Sequence, residues 1–381
     1  MGRRVPAASH GVAGLTKHRR HGDDLGHGDG YRIGKVMNIL LSCVGRRGYL
    51  VDYFREALAG QGRVIAANSD AMTDGMWRAD RAFQVPPVND PGYIDALLDI
   101  AVREEVRLVV SLFDIDLPFL SAAAARFTAC GIRLAVPDAS VVDIANDKWR
   151  TQIFLEENGF DGPRTWSSVE AALEAIEAQQ VQWPLYIKPR WGMGSIGVQV
   201  ALDAQELAFF YRHTCRAVAE SYLSLLGARV PEKNDHGEVI IQEGVSGQEY
   251  GLDVFNDFDR RHIMTTVKRK LRMRSGETDV AEVVDMPALA RLGARLGHQL
   301  GHVGNLDVDV MVSDSRLAVI EFNARFGGGY PFSHLAGTNY PQMLIRLAAG
   351  LPPGPHAARI GTLGLKALTP MSAPLSPQDT L

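Results

Sequence analysis

From Asn38 the chain alternates apolar runs with segments of helical periodicity. NILLSCVG is a short apolar run, GYLVDYFREALAG spaces its apolar residues at helical intervals and closes at Gly60, and RVIAANSD is a second run. PGYIDALLDIAVREE predicts a helix opening at Pro91, VRLVVSLFD a third strand, residues 118–130 another helix, and IRLAVP a further strand. This rhythm predicts an α/β region with a Rossmann-like, doubly wound parallel sheet over residues 37–142. Ligands of such sheets gather at the carboxyl ends of the strands, where Cys43 to Arg47, Asn68 to Asp70, and Asp114 with Asp116 stand. The last two aspartates could hold an amine or a sugar hydroxyl, or cap their loop.

Beyond Asp143 the rhythm changes. DKWRTQIFLEENG and SVEAALEAIEAQ read as helices, after which WPLYIKP, GVQVAL, EVIIQEGV, QEYGLDVFND and RRHIMTTVKRK read as strands with hairpin-like connections. That pattern predicts antiparallel sheet in an α+β arrangement. MPALARLGARLGHQLG is a helix, and GNLDVDVMVSDSRLAVIEFNAR is a strand pair turning at Ser313 to Ser315. Residues 351–381 are rich in Pro and Ala, with one candidate strand in RIGTLGLKAL and a tail expected to be disordered. Residues 1–36, rich in Gly, His and Arg without apolar periodicity, are expected to form a disordered extension.

Within the second region, YIKPRWGMGSIGV sets Gly192, Gly194 and Gly197 in the spacing of a dinucleotide fingerprint. That fingerprint needs a helix after its glycines, and here a strand, VQVAL, follows at once. A Walker loop also fails, because no Gly-Lys-Ser/Thr follows. The stretch therefore reads as a hairpin loop with Lys188 on its incoming strand. Such a loop could offer backbone N–H groups to a polyphosphate, or be a mobile surface turn.

Asp309 and Glu321 fall on neighbouring strands, and Glu321 and Asn323 are two residues apart, so three oxygen-bearing side chains leave one face. Two carboxylates and an amide oxygen suit a hard cation, Mg2+ or alternatively Mn2+, that shares phosphate oxygens with a nucleotide. Arg325 continues that face and could contact a phosphate or an acyl phosphate. In VKRKLRMRSGE, alternation puts Lys268, Lys270, Arg272 and Arg274 on one face, where they could bind a carboxylate or phosphate, or lie solvated. RFGGGYP predicts a turn near the metal, with Gly327, Gly328 and Gly329 letting backbone approach a ligand.

DKWRT, YIKPRWGMGSIGV, IIQEGVSGQEYGLDV, and GNLDVDVMV followed by VIEFNARFGGG stand in the order of the ATP-grasp superfamily. The chain from Met37 to Gly350 resembles those of its members that are like the carbamoyl phosphate synthase large chain. The resemblance implies a pre-ATP-grasp domain over 37–142 and a two-lobed ATP-grasp domain over 143–350, its small lobe at about 150–245 and its large lobe at about 246–350. It implies that Lys148 and Lys188 hold ATP phosphates and that Gly192, Gly194, Ser195 and Gly197 belong to a phosphate-covering loop. Gln242, Glu243 and Val245 would meet adenine, Glu249 the ribose, and Asp309, Glu321 and Asn323 the metal. The synthase carries Gln at the first metal position and Arg at the phosphate-binding ones, so Asp309, Lys148 and Lys188 depart from it while keeping the role. Arg325, Lys188 and Lys268 are the candidates for the catalytic step. Asp114, Asp116, Lys270, Arg272, Arg325 and Gly328 are the candidates for substrate contact.

The reaction so implied is ATP-dependent activation of a carboxylate and its capture by an amine or a thiol, with release of ADP. Its setting would be biosynthesis of a peptide-like, natural-product or cell-envelope metabolite, with small-molecule carboxylate and amine partners. Two other readings stay open at this point: an NAD-binding Rossmann-type oxidoreductase, and an ATP-binding regulator without catalysis. The 381 residues imply two or three domains. With 46% hydrophobic and 22% charged residues and a net charge of −4, the composition suits a packed soluble protein and gives no footprint for nucleic acid. No apolar run approaches the roughly 18 residues of a membrane span. Cys43, Cys130 and Cys215, widely spaced and without C-x-x-C, suit a reducing cytoplasm. A homodimer is the commonest assembly for such a chain.

Overall fold

The apolar runs of the first region form β1 (Asn38–Ser42), β2 (Val64–Asn68), β3 (Arg81–Gln84), β4 (Val106–Ser111) and β5 (Arg133–Ala135). They pair in parallel in the order β3-β2-β1-β4-β5. In this computed structural model, residues 36–192, 197–221, 237–274, 276–367 and 369–372 are described. The expectations for residues 1–35, for Gly194 and Ser195, and for the end of the tail lie outside them. β1 is buried along its whole length because helices cover both of its faces, which is why it reads as a continuous apolar run. α1 (Gly48–Leu58) turns Leu50, Val51, Phe54 and Leu58 inward, and its end is set by left-handed Ala59 and then Gly60.

α2 (Asp74–Arg78) and α3 (Tyr93–Arg103) complete the first crossovers. The single helix expected over 118–130 is two short ones, α4 (Leu117–Ala122) and α5 (Ala124–Ala129), which meet at Ala123. β3 was not evident in the sequence. Its four residues RAFQ expose Arg81 and Gln84 at the sheet edge, so it carries no apolar run.

α6 (Ala139–Asn146) and α7 (Lys148–Glu157) lead into a four-stranded sheet built from β6 (Thr165–Trp166), β7 (Leu185–Pro189), β8 (Gln199–Ala201) and β9 (Val239–Glu243), in the order β6-β9-β7-β8. α8 (Val169–Glu177) and α9 (Ala204–Ala219) cover it and give it a separate apolar core containing Leu185, Ile187, Ala201 and Ile241. The glycine stretch lies between β7 and β8, which are antiparallel, with Ile187 opposite Gln199.

The third sheet is antiparallel, with six strands in the order β14-β13-β10-β11-β12-β15. Its members are β10 (Gln248–Asn256), β11 (His262–Arg274), β12 (Glu277–Val283), β13 (Gly304–Val312), β14 (Leu317–Asn323) and β15 (Leu363–Leu365). One face, with Leu252, Val254, Val267, Leu306 and Val308, packs on Leu289, Leu292 and Leu296 of α10 (Pro287–Leu300). This apolar cluster runs on into the core of the first sheet, so those two sheets share one interior. α11 (Tyr330–Leu335) and α12 (Tyr340–Ala348) close the third sheet's other face. Among the described residues no helix is long and apolar enough to cross a membrane.

Candidate functional site

The second face of the third sheet is polar, and the register shows why. Glu249, Gly251 and Asp253 of β10 lie between the lysines of β11 and Asp307 and Asp309 of β13. Across the β13–β14 pair, Glu321 stands opposite Asp309 and Asn323 opposite Asp307. Gly251 leaves a gap in the middle of this face, where a Cβ would already sit 3.3 Å from the stems of both Lys268 and Lys270. Through that gap the Lys270 ammonium reaches over β10 to Asp309 Oδ1 at 2.6 Å and to Glu249 Oε1 at 2.7 Å. Burial works against its charge, but Asp309 and Glu249 outweigh burial and hold its pKa above the usual lysine value. Burial presses the Asp309 carboxyl upward, Lys270 opposes it, and Asp307, Glu321 and Glu249 add to it.

The basic strand departs from its expected alternation. Lys268 is buried and donates to Asp253, which also accepts from Ser333, so its ammonium is held inside the sheet. A bulge after Lys270 interrupts the pairing with β12. Arg272 and Arg274 beyond it are exposed and share Asp279 as partner, at 2.9 and 3.2 Å. Lys270 alone of the four reaches Glu249 and Asp309.

Glu321 and Asn323 make no side-chain hydrogen bond among the described residues and line a cavity described below. A free carboxylate and a free amide oxygen next to Asp309 are hard donors, and they fit a divalent cation that completes its shell with water and phosphate. Among the described residues no three His, Cys, Asp or Glu side chains gather into a self-sufficient metal nest.

Two further lysines approach from other elements. Lys188 of β7 donates to Gln242 Oε1 of β9 at 2.9 Å, and burial lowers its pKa to about 8 although Glu321, Asp309 and Glu249 pull it upward. Lys148 opens α7 and donates to the Gly192 carbonyl at 2.7 Å. Its position is fixed from beneath. Asp147, the N-cap, accepts from the backbone of Trp149 and Arg150, and Arg190 clamps it with two bonds of 2.7 Å in a buried fork. Gly192 and Gly197 have φ of +110° and +72°, in the region that favours glycine. Gln242 is buried between Lys188 and Thr165. The Glu243 carboxylate is taken by Arg316 at 2.7 Å, which also grips Asp161 and so ties β9 to the β13–β14 hairpin. Val245 lies just beyond β9, half-buried.

The site meets the first sheet at Arg325. Its guanidinium is buried and pairs with Asp114 at 2.9 Å and Asp307 at 3.2 Å. Burial opposes its charge, but these two carboxylates hold its pKa above the ordinary arginine value. It is therefore anchored by protein carboxylates. Asp116 departs from its expected place, being fully buried and accepting from Ser42 at 2.6 Å, Tyr93 at 3.0 Å and Ser111. Because β1 and β4 converge on it, it neither faces ligand nor caps α4 by its side chain. The glycine turn also differs from expectation. A side chain at Gly327 would collide with the Asp307 carboxylate, and Gly328 faces Lys366 and Glu277, so the close approach is to protein groups.

Sequence reasoning missed Asp307, Arg190 and Arg316, and it marked Arg47 only as standing at the carboxyl end of a strand. Arg47, from the turn after β1, donates to the Phe326 carbonyl at 2.5 Å, and burial, then Arg325, lowers its pKa. Asp307 carried a signal, since it stands two residues before Asp309 on the same face.

Residues 39–135 match the family model of the PylC-like N-terminal domain, and residues 145–329 match that of the ATP-grasp domain. Residues 145–329 belong to the ATP-grasp family. Among curated relatives of the chain is the carbamoyl phosphate synthase large chain of Halomonas eurihalina, 23% identical over 270 residues. The alignment takes in 69% of this chain and 24% of the relative, so the chain spans about a quarter of that protein's length. The fold is also that of the biotin carboxylase domain of Hydrogenobacter thermophilus 2-oxoglutarate carboxylase, crystallised with MgADP and bicarbonate. The TM-score is 0.66 at 16% identity, covering 85% of this chain and 72% of that one. An L-amino acid ligase from Bacillus licheniformis matches with a TM-score of 0.59 at 18% identity, covering 83% and 74%. The family match removes the NAD-dependent oxidoreductase as a reading of the glycine stretch, in keeping with the antiparallel strands on either side of it.

Proposed function

We propose that this chain is an ATP-dependent carboxylate–amine ligase. The observation that carries the reading is the gathering of Lys148 and Lys188, from two different elements, near Glu321, with Asn323 in the lining of the cavity that Lys148 and Glu321 share. On this reading the lysines would hold phosphates, and Asp309, Glu321 and Asn323 would hold Mg2+ or Mn2+, which would supply charge neutralisation between phosphates. Gly192 to Gly197 would lie over the phosphates, Gln242, Glu243 and Val245 at the base, and Glu249 at the ribose. The Glu243 side chain, held by Arg316, leaves only its backbone for that contact.

In the reaction, a carboxylate oxygen of the substrate forms a bond to the γ-phosphorus while the bond to ADP breaks. The amine nitrogen then bonds to the acyl carbon, phosphate departs with the electron pair of the broken C–O bond, and the nitrogen's proton passes to that departing phosphate. This chemistry asks the protein for positioning and charge rather than a nucleophile. Arg325 is held by Asp114 and Asp307 where negative charge would develop. Work in the cytoplasm as a homodimer belongs to the same proposal, in keeping with three free cysteines.

The test is ADP formation in the full-length protein with Mg2+, ATP and panels of carboxylates and amines. Glu321→Gln should remove ADP release while leaving the far-UV spectrum and thermal midpoint close to those of the parent. NADH binding tighter than MgATP, or unchanged turnover in the variant, would sink the proposal.

A further inference from the structure

A cavity of about 340 Å³ lies between the first sheet and the ATP-grasp region, at the small end of the range usual for small-molecule sites. Ile115, Pro118 and Phe119 wall it on the first sheet's side, and Trp191 and Phe322 on the other. It opens onto Glu321, Asn323 and Lys148, where the phosphate chemistry is placed. None of Gln242, Val245 or Glu249 lines it, so the nucleoside end of the nucleotide lies elsewhere.

The polar part of its wall is acidic and short of donors. Of Asp114, Asp143, Asp147 and Glu321, Asp147 is already clamped by Arg190 and Asp143 lies 3.6 Å from Arg150, which leaves Asp114 and Glu321 with Lys148 as the remaining lining cation. Asp114 is 5% exposed, and one of its oxygens is bound by Arg325 while the other, Oδ1, is buried with no donor. Beside it Asn146 gives its amide N–H to the Asp114 carbonyl at 2.9 Å, and its own Oδ1 is likewise buried without a donor. Unmet buried acceptors cost free energy on the order of 1–3 kcal/mol each, so two in one wall call for a ligand that donates. At the Asp114 and Asn146 wall a phosphate or carboxylate would meet acceptors only.

We infer that this cavity seats the nucleophile of the ligase reaction, a primary amine carrying a compact apolar body, whose N–H groups donate to Asp114 and Asn146 while its lone pair stays free for attack. The inference rests on the ligase reading for the amine's role as nucleophile; the binding itself is independent of it. Its apolar body packs between Phe119, Ile115, Trp191 and Phe322, and its nitrogen is directed toward the Glu321 and Asn323 end.

Saturation-transfer NMR on the full-length protein, with and without MgADP, tests this using L-leucinamide, N-acetyl-L-leucinamide and isovalerate as probes. L-Leucinamide alone should show transfer, and MgADP should not displace it. Ile115→Trp fills the cavity from a half-exposed position and should weaken L-leucinamide at least tenfold. The same variant should keep the thermal stabilisation that MgADP gives the parent. Asn146→Leu removes one acceptor and should weaken the amine about fivefold. Equal binding of the acetylated probe, displacement by MgADP, or full affinity in Ile115→Trp would overturn the inference. Loss of MgADP stabilisation in the parent, with L-leucinamide still bound, would count against the ligase reading and support the cavity assignment.

Discussion

Burial holds the Lys188 ammonium at a pKa of about 8, and this makes nucleotide affinity depend on pH with a sign that can be worked out. A phosphate at this lysine stabilises the charged form, so the ligand-bound pKa lies above the free one. Affinity is therefore flat below the free pKa and falls as pH rises through it, up to tenfold per unit until the bound form also titrates. With a free pKa of about 8, roughly nine-tenths of the lysine is charged at pH 7 and one-tenth at pH 9. The apparent Kd for MgADP should thus rise about tenfold between those values, on the order of 1.4 kcal/mol. Titration calorimetry from pH 7 to 9.5 reads this directly. Lys188→Arg should flatten the profile, because a guanidinium keeps its charge throughout. Lys188→Met should bind about tenfold more weakly at pH 7 and also show no slope. A parent profile flat through pH 9, or an unchanged slope in Lys188→Met, would refute the placement of this ammonium at the phosphates.

Three other measurements follow from the same geometry. The Arg190–Asp147 fork is buried on both sides, so Arg190→Met should cost about 3–5 kcal/mol in urea unfolding by stranding the aspartate. The double variant Asp147→Leu with Arg190→Met should cost clearly less than the two single changes summed. Gly251→Val should lower stability by about 1–3 kcal/mol through crowding of the Lys268 and Lys270 stems, seen as a fall in Tm. His302 is fully buried, and burial, before any hydrogen bond, lowers its pKa to about 4. Its neutral form stabilises the fold above pH 6.5, and that contribution is lost as pH falls toward 4, so unfolding free energy should drop by about 2 kcal/mol from pH 7 to 5. A flat stability profile over that range would remove His302 from the account.

The elements that were legible in the sequence are those whose residues solve a local problem. The apolar runs of β1, β2 and β4 and the helical spacing of α1 and α10 state their partners in composition alone. β3 could not be read because an edge strand needs little apolar surface. The same distinction divides the site. Asp309, Glu321 and Asn323 were visible because their spacing on a hairpin fixes a shared face. What occupies the other side chains depends on contacts distant in sequence, as with Arg325 held by Asp114 or Glu243 by Arg316.

Gly251 shows most clearly where the limit lies. In QEYGLDV it reads as one glycine within a strand, with no role of its own. Only the register, which sets it between β11 and β13, makes it the place where Lys270 crosses a strand to reach Asp309. A Cβ there already sits 3.3 Å from the Lys270 stem, so a larger side chain would push the ammonium off Asp309. Asp309, pressed upward by burial and three neighbouring carboxylates, would then lose its nearest opposing charge. A cation at Glu321 and Asn323 would compete with Lys270 for Asp309, so the glycine sets how much negative charge the cluster offers. Gly251→Ala, small enough to fold, should therefore change the Mg2+ concentration needed for nucleotide binding more than it changes affinity at saturating Mg2+. Calorimetric titrations of ADP at low and high Mg2+ measure both, and an equal change at the two concentrations would show that the glycine serves packing alone.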